Sequence, residues 1–188
     1  MPGAGVPDMT GGAMKAQLFL LPLAALAAPA AAYATTYLTV EQAQAAMFPG
    51  AALKADHRTL TDSQAAAIQT DSGVAPLGRE IKAWRAPNGG WFLVDEVVGK
   101  HEFITFALAL DAAGAVKGLE ILDYRESYGG QVRGGAWRAQ FAGKKHGAAL
   151  RVGQDIQNIS GATLSSKHVT DGVRRLLATY ALVLAPGH

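Results

Sequence analysis

Phe103-Ile104-Thr105-Phe106-Ala107-Leu108-Ala109-Leu110 is the run on which the fold turns. Ile104, Phe106, Leu108 and Leu110 recur at every second position, so they share one face of an extended chain. The run is too short and too regular in period two for an amphipathic helix. Upstream, residues 80–86 and 91–98 read as strands joined by Asn88-Gly89-Gly90, a tight-turn signal. Downstream, Asp111-Ala112-Ala113-Gly114 is a second turn, and residues 115–124 form a fourth strand. Consecutive short strands with tight turns predict an antiparallel meander.

Helical signals flank this block. Leu38-Thr39-Val40-Glu41-Gln42 and Leu60-Thr61-Asp62-Ser63-Gln64 each place a threonine three residues before a glutamine, the pattern of a capping box. The first helix stops at Pro49-Gly50; the second, rich in alanine, runs to about Thr70. The repeated cap does not continue as a period, so it is no internal repeat. Near the C-terminus, Val169, Val173, Leu176, Leu177 and Tyr180 lay one apolar stripe along a long helix. The expected class is α+β: a meander sheet of about four strands packed on one face by N- and C-terminal helices. Gly172 beside the stripe is expected to let that helix approach its neighbours.

The loop entering the last helix is Ser160-Gly161-Ala162-Thr163-Leu164-Ser165-Ser166. Ser165 and Ser166 stand where an N-cap belongs. Thr163 is thereby brought to the positive end of the helix, where backbone N–H groups lack partners and a phosphate is well placed. The plain alternative is a capping loop without further use. A second loop, Tyr124-Arg125-Glu126-Ser127-Tyr128-Gly129-Gly130, precedes a short helix carrying Trp137 and Phe141 at i, i+4. Its glycines allow a backbone to approach a flat ligand. Tyr128 and Trp137 have the chemistry to stack on one, although Trp137 reads first as a core residue.

At these residues the chain resembles the FMN-binding domain family. Its Ser-Gly-Ala-Thr motif carries FMN through a phosphoester to the threonine, as in subunits of the sodium-pumping NADH:quinone reductase and the Rnf complex. The resemblance spans roughly residues 90–182. It implies that Thr163 is the attachment site, with Ser160, Gly161, Ala162, Leu164 and Ser165 around it and Glu126, Tyr128, Gly129 and Trp137 covering the flavin. It also implies a separate flavin transferase using FAD and magnesium, which makes chemical sense because a bare hydroxyl is a weak nucleophile. Two departures stand out. Ser127 and Tyr128 replace the Thr-Pro of the family's Glu-Thr-Pro-Gly loop. Gln157 stands where the family has an acidic residue three places before the motif, and the nearest acid is Asp155.

The N-terminus is of a different kind. Residues 16–32 are an apolar run after Lys15, and Ala32-Tyr33-Ala34 follows as a cleavage-site pattern. Residues 1–34 therefore read as a secretory signal, with Met14 an alternative start. Pro22 and Pro29 interrupt the run, which argues against a good spanning helix; an uncleaved leader would leave a membrane anchor. Residues 35–188, roughly 150 of them, are enough for a core.

The chain has 188 residues, a net charge of +2 and no cysteine. Iron–sulfur clusters, disulfides and c-type haem attachment are excluded. No basic run suggests nucleic acid. The histidines at 57, 101, 146, 168 and 188 have no metal-ligand spacing. His168 reads as facing a phosphate or the surface, Lys167 as meeting a phosphate or solvent, and Arg174-Arg175 as a solvated helix face. No nucleophile elbow or Walker spacing appears. The expectation is an exported, periplasmic flavoprotein carrying FMN on Thr163. It would relay electrons between membrane or periplasmic redox partners, as a carrier rather than an independent enzyme. The alternatives are an accessory or sensor module that binds flavin reversibly or not at all, and a flavin-dependent reductase.

Overall fold

The computed structural model of the chain describes residues 35–186 together with Met1 and Gly3. The expected leader, residues 1–34, lies outside the described residues apart from those two. Among the described residues, no helix is long and apolar enough to cross a membrane.

The meander is present. Strands β4 (Glu80–Arg85), β5 (Trp91–Val98), β6 (Phe103–Leu110) and β7 (Val116–Tyr124) run antiparallel, each beside the next. The β6–β7 turn closes on Asp111, whose carboxylate accepts from the N–H groups of Ala113 and Ala115, both at 2.9 Å. Three two-residue strands extend the edges. β1 (Thr35–Thr36) pairs with β7, and β2 (Lys54–Ala55) and β3 (Arg58–Thr59) pair with β4. Pieces that short hold too few residues to show a period.

Helices α1 (Val40–Met47) and α2 (Asp62–Ser72) both begin at the expected capping boxes. Thr39 with Gln42, and Thr61 with Gln64, exchange side-chain and backbone bonds. Their placement differs from the expectation of helices on one face only. On one face, Leu93 and Val97 of β5, Ile104, Phe106, Leu108 and Leu110 of β6, and Leu119 and Ile121 of β7 pack with Ile68 of α2 and with the C-terminal helix α4 (Thr163–Thr179). On the other, Phe92, Val94, Ala107, Ala109 and Leu122 pack with Ala43 and Met47 of α1. Alternate residues of β5 and β6 are apolar on both sides, so the central strands need a cover on each face.

Helix α4 places the site. Val169, Val173, Leu176 and Leu177 are buried along it, each contributing about 2 kcal/mol of transfer free energy. Gly172 lets it lie close to the sheet: a Cβ there would stand 2.7 Å from a methyl of Val97 and 2.8 Å from the ring of Phe106. The expectation of a solvated Arg174-Arg175 pair is corrected. Arg175 is 3% exposed. Its guanidinium donates to Asp95 at 2.7 and 3.0 Å, to the Glu96 carbonyl at 2.7 Å and to the Ala75 carbonyl at 3.0 Å. Arg174 donates to the carbonyls of Ser72 at 2.7 Å and Leu150 at 3.1 Å. Arg174 thus reaches the last residue of α2, where carbonyls lack helical partners, and Arg175 reaches the segment that follows it. A guanidinium supplies five donors from a long apolar stem, so it can be buried when each acceptor is present.

Candidate functional site

The start of α4 is one turn earlier than the serines suggested. Gly161 has φ +80°, the N–H of Ala162 closes a turn on the Ile159 carbonyl at 2.9 Å, and the helix begins at Thr163 with Ala162 as its cap residue. Ser165 and Ser166 are therefore not caps but lie buried in the first turn. The Ser166 hydroxyl bonds back to the carbonyls of Ala162 and Thr163, at 3.0 and 3.1 Å. No side chain caps the helix. The N–H groups of Thr163, Leu164 and Ser165 consequently have no intrahelical acceptor and carry the positive end of the helix dipole.

A cleft of about 490 Å³ opens at this point, within the size range of small-molecule sites. Gly161, Ala162, Thr163, Leu164 and Ser165 form one wall; Glu126, Ser127, Tyr128 and Gly129 form the other; Lys100, His101 and Glu102 of the β5–β6 turn and Arg125 close the end. Thr163 is exposed, and its hydroxyl receives a bond from the Asn158 amide at 3.3 Å. On its other side Thr163 borders a groove with Arg151, Lys167 and Arg174. Tyr128, 84% exposed, and Leu164, 44% exposed, put apolar surface on opposite walls of the cleft.

The second wall is docked through one crowded junction. Gly129 has φ +91°, and a Cβ there would meet the Tyr124 hydroxyl at 2.6 Å and the Ser165 hydroxyl at 2.7 Å. Only glycine fits both demands. The Tyr124 hydroxyl donates to the Tyr128 carbonyl, so the Ser165 hydroxyl, 2.9 Å away, donates to Tyr124. Burial pushes the Tyr124 phenol above its ordinary pKa, which keeps it neutral as that bond requires.

Glu126 fastens the loop to the hairpin. Its carboxylate accepts from the N–H groups of His101 and Glu102, the latter at 3.0 Å. Burial alone raises its pKa, but the N–H groups of Glu102, His101 and Lys100 outweigh it and hold the carboxyl below the usual range. A folded-state pKa below the unfolded one stabilises the fold above the ordinary carboxyl pKa, and that contribution disappears as pH falls through the folded value. Glu126→Gln is thus expected to lower the melting temperature modestly at pH 7. The gap from wild type should narrow below about pH 4 in thermal melts across pH; a gap that stays constant to pH 3 contradicts the arrangement.

Of the ten expected residues, Gly161, Ala162, Thr163, Leu164, Ser165, Glu126, Tyr128 and Gly129 come together on the cleft. Two do not. Ser160 is exposed in the turn before it. Trp137 is 6% exposed, edge-on to Phe141 with ring centres 5.1 Å apart. Its indole N–H donates to the Gln157 carbonyl at 2.8 Å, so it braces the loop from behind. His168 has its Nδ1 against the Gly99 carbonyl at 3.1 Å, and Lys167 pairs with Asp171 at 2.7 Å. Asp155 is occupied elsewhere: its carboxylate takes the N–H groups of Leu150 at 3.0 Å and Arg151 at 2.6 Å and the Lys144 ammonium at 3.0 Å. Burial raises its pKa, but the Arg151 N–H and Lys144 prevail and keep it ionised. It therefore organises residues 144–155 and is not spare for Gln157's position. The sequence reading missed Asn158, Tyr124, Arg125 and the turn residues Lys100, His101 and Glu102. The first acts across a loop with no spacing rule; the others come to the same cleft as the start of α4 only through the sheet.

The site fits FMN on its own geometry. Unpaired N–H groups suit a phosphate, the Tyr128 ring and the Leu164 side chain on opposite walls suit a flat ring, and Gly129 leaves out a side chain where the walls meet. Residues 99–178 match the model of a family described as "FMN-binding domain". Every residue lining the cleft falls within the match. No curated protein matches the chain.

Proposed function

We propose, given that residues 99–178 belong to the FMN-binding domain family and make this a flavin-binding protein, that FMN is carried as a phosphoester on Thr163. The observation that carries the reading is the exposed Thr163 hydroxyl at an uncapped helix start, opening on a cleft of about 490 Å³. The N–H groups of Thr163, Leu164 and Ser165 would hold the phosphate, and Lys100 adds positive charge at the cleft's end. Tyr128 and Leu164 would cover the ring, and Glu126 keeps the loop beneath it in place. The flavin, once bound, supplies one- and two-electron transfer. The protein sets its orientation and shields part of it from water.

Attachment needs a partner. The Thr163 oxygen forms a bond to the FMN phosphorus, the pyrophosphate link of FAD breaks, AMP leaves, and the hydroxyl proton goes to a base. No carboxylate or imidazole stands at hydrogen-bond distance from the Thr163 hydroxyl among the described residues, where Asn158 is its side-chain partner. The base is therefore assigned to a flavin transferase acting with FAD and magnesium. We further infer export, from the apolar leader of residues 16–32, and electron relay between membrane or periplasmic redox proteins.

The test is to make the full chain together with a flavin transferase, unfold it, remove small molecules and record the intact mass. A yellow chromophore that survives unfolding, with the added mass on the peptide containing Thr163, is the expected result. Flavin that washes out on unfolding supports instead the reversible, accessory-module reading. The same spectrum reports where the leader is cut.

A further inference from the structure

Asn158 stands five residues before Thr163, exposed, in a loop whose backbone is held on both sides of it. On one side, Gln157 is held twice: its N–H donates to the Gln140 side chain at 2.8 Å and its carbonyl accepts from Trp137 at 2.8 Å. On the other, the Ile159 carbonyl closes the turn with the Ala162 N–H. The held backbone sets where the Asn158 side chain starts, and two contacts engage both ends of its amide. Its Nδ2 donates to the Thr163 hydroxyl at 3.3 Å, and its Oδ1 lies 3.3 Å from the hydroxyl of Ser166, a fully buried residue. A helix-capping asparagine would accept from a backbone N–H of the first turn; this one does not, and α4 has no side-chain cap. Its polar contacts go to two hydroxyl groups instead.

We propose that Asn158 is a positioning residue that presents the Thr163 hydroxyl for esterification. The inference rests on the reading of Thr163 as the flavin acceptor. Threonine in a helix divides between two χ1 rotamers, and among the described residues Asn158 is the side-chain partner of this hydroxyl. The Asn158 amide selects the rotamer that turns Oγ1 toward Nδ2 of Asn158. It does so without charge. A neutral amide occupies one lone pair of the hydroxyl and leaves its proton outward, where an external base can take it. It also leaves the positive end of the helix unopposed for an incoming phosphate. A carboxylate of the same shape would lack the donor and would repel that phosphate.

The experiment uses the full chain as acceptor, a purified flavin transferase, FAD and magnesium, with the rate of mass gain read against acceptor concentration. Asn158→Ala and Asn158→Asp are compared with wild type after thermal melts confirm that both fold. Positioning predicts that both lower the limiting rate by about tenfold to a hundredfold with the half-saturating acceptor concentration unchanged, the aspartate at least as much as the alanine. A second readout is free of flavin: three-bond couplings to the Thr163 methyl carbon report one χ1 rotamer in the wild type and averaging in Asn158→Ala. Labelling of either variant within twofold of wild type overturns the proposal. So does recovery by the isosteric aspartate, which would mean that shape alone matters, and so does a Thr163 coupling that Asn158→Ala leaves unchanged. A wild-type chain that gains no mass overturns the acceptor reading, and this inference with it.

Discussion

Thr163→Ala is expected to abolish all flavin that survives unfolding, an all-or-none loss. The change removes one exposed hydroxyl at the first position of α4. It leaves intact the turn from Ala162 to Ile159, the Ser166 back-bonds and the Tyr124–Ser165 junction. Alanine is also the best helix former, so the melting temperature should hold within a few degrees. Loss of the chromophore with an unchanged melt separates chemistry from folding. Thr163→Ser keeps a hydroxyl but loses the β-branch that limits its rotamers; it should be labelled more slowly and still to some extent. Residual flavin bound to the Thr163→Ala protein before unfolding would measure what the cleft itself contributes, through its apolar walls and the open helix end. The expectation fails if Thr163→Ala retains the mass increment, in which case another hydroxyl of the loop is the acceptor.

The second large effect is structural. Arg175→Ala removes a guanidinium that satisfies Asp95 and two carbonyls in a space almost closed to solvent. Removing one partner of a buried pair leaves the other uncompensated. The Asp95 side chain retains 23% exposure, so the lower end of the usual cost applies, about 3 kcal/mol. For a domain of this size that lowers the melting temperature by roughly 6–12 °C. Asp95→Leu combined with Arg175→Met should recover part of the loss, since two apolar groups leave no stranded charge. A melting point within about 2 °C of wild type for Arg175→Ala would show that water reaches Asp95 freely. Because α4 also carries Thr163, the arginine ties the site-bearing helix to β5 and to the segment after α2.

Residues whose surroundings are local were readable before any coordinates. Thr39, Gln42, Thr61 and Gln64 make their bonds within one turn of helix, and Asn88-Gly89-Gly90 and Asp111–Gly114 set their turns by their own backbone demands. The alternation of Ile104, Phe106, Leu108 and Leu110 marks one face of β6 from the sequence alone. What escaped depends on distant partners. Arg175 looks like any exposed helical arginine until Asp95, eighty positions away, is brought beneath it. The serines looked like caps because capping preference is local, but the turn closed by Gly161 and Ala162 starts the helix sooner. The site was legible as two loops; that they face each other follows from Gly129, Tyr124 and Ser165, which the sheet brings into contact.

The sheet order also bears on where this chain could be cut. The family match begins at residue 99, just beyond the end of β5 at Val98, although β5 lies between β4 and β6 in the sheet. An excised 99–178 fragment would keep every side chain that lines the cleft and still lose the strand that completes the β5–β6 hairpin. The open side of β6 would become a sticky border for other copies, and Arg175 would be without its carboxylate. A transplantable unit has to begin ahead of β4: the pieces that recognise the cofactor and the piece that can exist by itself have different ends.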